Sequence, residues 1–202
     1  EEEIQHLQKL PIDYVGFVFY KKSKRFVDKE QARRLREKLN PSIPGVGVFV
    51  EEEIPKILEL LQEGIIQGVQ LHGEEEESYV LTLKEKMKQL RGDSFLWQAF
   101  ILKEEKDIER ANASPAGLIL LDGGKGEGKE AEAGLLQKIH RPYILAGGLS
   151  PENVAEKIKA FSPYGLDVSS GIEERGEDGV RKSPEKMESF IHLVREYGKQ
   201  TL

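Results

Sequence analysis

Apolar residues gather in seven short runs: Tyr14 to Phe19, Gly45 to Val50, Gly68 to Leu71, Phe95 to Ile101, Gly117 to Leu121, Pro142 to Ala146 and Gly165 to Val168. Each predicts a strand. The runs lack polar alternation, which suits strands covered on both faces, as in parallel sheets. Helical patterns lie between them. Lys29 to Leu39 follows Asp28, with Gln31 placed to complete a capping-box variant. Ile54, Ile57, Leu58 and Leu61 form one apolar stripe, and Val80, Leu83, Met87 and Leu90 another. Ser150-Pro151 and Ser183-Pro184 each set a capping hydroxyl before a proline suited to the first helical position, predicting two further helix starts. Glu1 to Leu10 also reads as a helix, with Ile4, Leu7 and Leu10 on one side and acids in its opening turn. No strand pattern precedes it, so the chain is expected to begin inside its first helix.

Successive strand centres lie roughly 22 to 31 residues apart, about one strand plus its return crossover. A doubly wound open sheet accommodates seven such strands, whereas a closed barrel of this type uses eight. Both architectures place ligands at the carboxyl ends of the strands.

The composition narrows the partners. With 30 Lys plus Arg against 36 Asp plus Glu, the 202-residue chain carries a formal charge of −6. Its basic residues are interleaved with glutamates, which disfavours nucleic acid. The absence of Cys excludes, within these residues, a disulfide framework, a thiolate metal site and a cysteine nucleophile. No apolar run approaches the length of a membrane span, and the acidic start is unlike a signal peptide, so intracellular residence is expected.

The strand ends hold the candidate chemistry. Lys21-Lys22-Ser23-Lys24-Arg25 could hold a carboxylate or phosphate, Arg25 being best shaped for bidentate contact, although a solvated basic loop is the blander reading. His72 sits at a strand end before Gly73, and shares no metal-ligand spacing with His6, His140 or His192. Leu118 to Leu121 runs into Asp122, a carboxylate that partial desolvation could turn into a general acid, or else a turn cap. Gly123 to Lys129 imitates a nucleotide-binding phosphate loop, but Glu130 stands where Ser or Thr would hold magnesium, leaving nucleotide hydrolysis a weak alternative and a loop folding over a ligand the better one. Gly147-Gly148 and Ser170-Gly171 follow the last two strands, where glycine backbone and a short helix suit an anion.

Five segments, in order, carry a resemblance to the phosphoribosylanthranilate isomerases: Gly16 to Arg25, Val46 to Val50, Val69 to Glu74, Ala146 to Val154 and Gly165 to Glu173. The resemblance implies a single (βα)8 TIM barrel over residues 1–202, with its first strand absent from this sequence. It implies an Amadori rearrangement of N-(5'-phosphoribosyl)anthranilate in tryptophan biosynthesis, with no cofactor or metal. Asp122 matches the general acid and Arg25 the group meeting the anthranilate end. Gly147, Gly148, Ser170 and Gly171 match the phosphate loops, and His72 and Asp167 fall in motifs that line the substrate pocket. The family's general base lies in a Lys-x-Cys-Gly strand that has no counterpart here, and the loop after Asp122 is shorter than usual. A barrel that binds sugar phosphates without catalysis is therefore a second reading. A cytoplasmic monomer or homodimer, acting on a small phosphorylated molecule with neither membrane nor nucleic acid as partner, completes the expectation.

Overall fold

The computed structural model describes residues 2–123, 134–176 and 179–198. Seven strands, β1 (Val15–Val18), β2 (Gly45–Phe49), β3 (Gly68–Leu71), β4 (Phe95–Phe100), β5 (Leu118–Asp122), β6 (Tyr143–Ala146) and β7 (Gly165–Leu166), form one parallel sheet in sequence order. The strands coincide with the seven apolar runs to within two residues at either end, β5 reaching one residue further, to Asp122. Covering helices are α1 (Glu2–Leu7), α2 (Lys29–Lys38), α3 (Ile54–Gln62), α4 (Glu77–Leu90), α5 (Glu105–Ala113), α6 (Val154–Phe161) and α7 (Pro184–Gly198). A single 3-10 turn (Ser170–Ile172) and an antiparallel hairpin, β8 (Glu173–Gly176) with β9 (Gly179–Lys182), separate β7 from α7. Among the described residues, no helix is long and apolar enough to cross a membrane.

Alternation along the strands sorts residues into two apolar layers. Val46, Trp97, Ala99, Leu120, Ile144 and Ala146 pack together on the concave face. Phe17, Phe49, Val69, Leu71 and Leu96 face outward against Ala32 of α2, Ile57 and Leu61 of α3 and Val80 and Leu83 of α4. Ile119, Leu121, Tyr143 and Leu145 face Ala111, Val154, Ile158, Met187 and Phe190. Two-sided burial explains the absence of polar alternation in the sequence. Glycines make room within these layers: a β-carbon on Gly47 would lie 2.6 Å from the ring of Phe49 and 2.8 Å from Ile66 Cδ1.

The helix ends are set by local chemistry. Gln31 N donates to Asp28 Oδ1 at 2.7 Å and Asp28 N to Gln31 Oε1 at 2.9 Å, the expected reciprocal cap of α2. Ser150-Pro151 does not start a helix, contrary to expectation. Ser150 N donates to Asn153 Oδ1 at 2.9 Å, the intervening residues turn, and α6 begins at Val154. The first helix ends at Leu7 rather than Leu10, and α7 starts at Pro184 as its Ser-Pro pair predicts. Helix α5 escapes the sequence reading because Glu104 and Asp107 organise its start, Asp107 Oδ2 accepting from Glu104 N at 3.0 Å, without Ser, Thr or Asn.

Replacing Gly47 with Ala should overpack the layer between β2 and α3, where Phe49 and Ile66 are 1% and 0% exposed, and lower stability by about 1 to 3 kcal/mol. A denaturation midpoint shift measures this. An unchanged midpoint would mean that the rings yield freely.

Candidate active site at the carboxyl ends of the strands

Parallel pairing carries the predicted residues onto one rim. Asp122 ends β5, two residues beyond inward-facing Leu120, and its register partner is Ala146. His72 follows β3, two residues beyond Gln70, and its backbone N–H donates to Phe49 O at 2.8 Å. Asp167 follows β7, with its N–H on Leu145 O at 2.9 Å. All three line a cavity of about 2190 Å3 that reaches along the concave face between β1 and β7, down to Tyr14 and Trp97.

His72 Nε2 lies 3.6 Å from Asp122 Oδ2, too far for a direct hydrogen bond but close enough for charge interaction. On its other side the buried Gln70 amide nitrogen stands 3.1 Å from His72 Nδ1. That contact makes Nδ1 the acceptor, so a neutral ring carries its proton on Nε2, facing Asp122. Asp167 is crowded by protein on the barrel side, which pushes its carboxyl above the usual range; Asp122 adds repulsion, while His72 and Lys182 oppose the rise. The residue is nonetheless exposed toward the cavity, and solvent there screens the charge, so the rise is smaller than full burial would give.

The two glycine loops touch. Gly147 and Gly148 adopt left-handed backbone, with φ of 81° and 62°. Asn153 Nδ2 donates to Gly148 O at 2.8 Å, bracing that turn. A β-carbon on Gly171 would lie 1.8 Å from Leu149 O, so the loop after β6 and the 3-10 turn after β7 meet backbone to backbone, which only glycine permits. Ser170 is exposed beside this contact.

Arg25 lies in the loop after β1, paired with Glu173 at the start of β8. The strand-end residues singled out from the sequence therefore share one rim, with Arg25 at its margin. Most of the Gly123 to Lys129 segment, which imitated a nucleotide loop, lies outside the described residues.

The sequence reading missed several positioning groups. Glu75, only 6% exposed, accepts from Glu51 N at 2.8 Å and Gly73 N at 2.9 Å, tying the loops after β2 and β3 together beside His72. Tyr79 OH donates to Glu52 O at 2.6 Å in the same corner, and burial with the charges of Glu75 and Glu52 pushes its pKa to about 12. The sequence likewise does not single out Asn153, Glu173 or Lys182. The signal for Asn153 was present, as an Asn shortly before an apolar helical run; the others depend on contacts distant in sequence.

Comparison with known proteins agrees with the geometry. A family model for N-(5'-phosphoribosyl)anthranilate (PRA) isomerase matches residues 1–192. A relative from Clostridium acetobutylicum, named N-(5'-phosphoribosyl)anthranilate isomerase, is 39% identical over 206 residues, spanning 98% of this chain and 94% of its own. The crystal structure of phosphoribosyl anthranilate isomerase from Thermotoga maritima is 35% identical and superposes with a TM-score of 0.78, covering 98% of this chain and 94% of that one. A phosphoribosyl anthranilate isomerase in complex with reduced 1-(o-carboxyphenylamino)-1-deoxyribulose 5-phosphate is 34% identical, with a TM-score of 0.80 over 96% of this chain and 93% of that one.

The raised Asp167 carboxyl makes a signed prediction. A folded-state pKa above the ordinary 3.8 favours the fold at acid pH, and that contribution is lost as pH rises through the raised value. At pH 7 the ionised Asp167 therefore weakens the fold, and Asp167→Asn should raise the melting temperature. The gain should shrink on acidification. Melting curves across this range measure it, and a variant less stable at pH 7 would contradict the assigned direction.

Proposed function

The chain belongs to the N-(5'-phosphoribosyl)anthranilate isomerase family, and on that premise we propose how its rim residues divide the work of the reaction. The protein is a phosphoribosylanthranilate isomerase of tryptophan biosynthesis, with a barrel of alternating strands and helices. The Amadori rearrangement needs an acid to protonate the furanose ring oxygen, opening the ring to an imine. It then needs a base to take the proton from the adjacent sugar carbon, giving an enolamine that tautomerises to the ketone.

In this reading Asp122 is the acid. His72 and Asp167 hold the sugar between Asp122 and the anion loops, with the His72 Nε2–H as donor. Gly147, Gly148, Ser170 and Gly171 take the phosphate through backbone N–H groups and the Ser170 hydroxyl. Arg25 takes the anthranilate carboxylate. No Cys occurs in these 202 residues, and the base stays without an assigned side chain. Residues 1–202 act as one domain, without cofactor or metal, in a cytoplasmic protein that is a monomer or homodimer.

The observation that carries this reading is the meeting of two features at one rim. Asp122, His72 and Asp167 line the same cavity as Gly147 and Gly148, and Gly171 locks the two glycine loops together. Calorimetric titration with the reduced substrate analogue and with ATP tests it. Binding of the analogue alone is expected; binding of ATP alone would support the nucleotide-loop alternative.

Two substitutions separate the roles. Gly148→Val places a β-branched side chain where φ is positive and the phosphate approaches, so binding of phosphorylated ligands should weaken while the fold survives. Unchanged affinity in a folded variant would remove this loop from the phosphate site. Asp122→Asn, in a chain supplied with a Lys-x-Cys-Gly strand, should lower kcat by about 100-fold or more with little change in analogue affinity. Near-normal turnover would leave Asp122 a loop cap.

A further inference from the structure

Across the mouth between the first and last strands runs an ion network that the proton-transfer groups and phosphate loops do not use. Arg25 Nε donates to Glu173 Oε1 at 2.7 Å and Nη2 donates to Glu173 Oε2 at 2.9 Å. This side-on bidentate contact fixes both the position and the plane of the guanidinium. Glu173 is itself braced. Lys182, its register partner across the β8–β9 hairpin, donates to Glu173 Oε1 at 2.9 Å and to Ser169 O at 2.7 Å. Lys186 Nζ donates to the Glu173 carbonyl at 2.8 Å. The Glu173 side chain is only 16% exposed, and the Arg25 and Lys182 cations hold its carboxyl below the usual range, so that carboxylate stays ionised at neutral pH.

A guanidinium has five N–H donors, and the side-on contact uses Nε–H and one Nη2–H. The remaining Nη1/Nη2 edge has no partner among the described residues, and Arg25 lines the cavity. Two parallel N–H groups on that edge match a second, planar carboxylate.

We propose that Glu173 is a positioning residue for the carboxylate end of the substrate: held side-on, Arg25 presents its Nη1/Nη2 edge to the anthranilate carboxylate, with Lys182 bracing Glu173 from β9. The inference rests on the functional reading above, and adds a residue that touches no substrate atom. Electrostatics alone has the opposite sign. Removing the Glu173 charge leaves Arg25 and Lys182 unopposed and should tighten any anion, whereas loss of positioning should loosen a carboxylate.

The test compares dissociation constants for two probes, reduced 1-(o-carboxyphenylamino)-1-deoxyribulose 5-phosphate and its phenylamino counterpart lacking the carboxylate. They are measured in the unaltered protein and in Glu173→Gln and Glu173→Asp, the latter keeping the charge while shortening the reach. The unaltered protein should prefer the carboxylate probe. Both variants should bind that probe about tenfold more weakly, and the phenylamino probe within about twofold of the unaltered protein. If a Glu173 variant fails to fold, Lys182→Met, which frees Glu173 while leaving Arg25 in place, should show the same selective loss. Tighter binding in Glu173→Gln with no change in Glu173→Asp would make Glu173 a charge only and overturn the proposal. Equal losses for both probes would make its role structural and also overturn it. An unaltered protein that binds both probes equally would overturn the proposal but keep the phosphate site, whereas one that binds neither would remove the functional reading with it.

Discussion

Parallel ladder bonds that continue past the strand ends hold the candidate site together. His72 N–H donates to Phe49 O, Gly123 N–H to Ala146 O, and Asp167 N–H to Leu145 O, so each rim residue, or its immediate neighbour, is fixed to the adjacent strand. The side chains then follow from alternation: positions two beyond the buried inward layer point into the same cavity. Geometry of this kind resists local change, because a one-residue slip would send all of these side chains to the helix-covered face.

The same alternation makes the polar rim compatible with a stable fold. Below Asp122 and His72 the concave face is lined by Trp97, Leu120, Val46 and Ile144, and the outer face is covered by two apolar clusters under the helices. Among the described residues, the buried polar side chains inside the strands, Gln70 of β3 and Gln98 of β4, are hydrogen-bonded, and the charged groups gather where the strands end and backbone groups meet loops. Glu75 and Asn153 use that zone to satisfy loop N–H and C=O groups, which fixes the shape of the turns carrying His72 and Gly148. Arg25, Glu173 and Lys182 join the loop after β1 to the hairpin after β7. Among the described residues β1 and β7 are the outer strands of the sheet, and this ion network spans the space between their ends.

Much of the fold was legible because burial on both faces leaves a direct trace: uninterrupted apolar runs such as Leu118 to Leu121, each followed by a polar or glycine-rich end. The site residues were legible as strand-end residues: residue chemistry suggests an acid at Asp122 and anion contacts at Arg25 and the glycine pairs, and the resemblance joins them into one reaction. What the sequence did not disclose is contact between distant loops. Glu173 reads as an ordinary glutamate until the hairpin brings it to Arg25, 148 positions away. Ser150-Pro151 does not start its helix for a related reason: the Asn153 side chain accepts from the Ser150 N–H within a turn and the helix begins only at Val154, a contact the Ser-Pro pair does not reveal.

The proposed function requires one small molecule to stretch between the glycine loops and Arg25. A crystal structure of this protein with reduced 1-(o-carboxyphenylamino)-1-deoxyribulose 5-phosphate tests that most directly. The phosphate should lie within hydrogen-bond distance of the backbone N–H groups of Gly148 and Gly171, and the carboxylate on the Nη1/Nη2 edge of Arg25, with the Arg25–Glu173 contact intact. A phosphate seated in the Gly123 to Lys129 segment, or a ligand held in the reverse orientation with its phosphate on Arg25, would contradict the account.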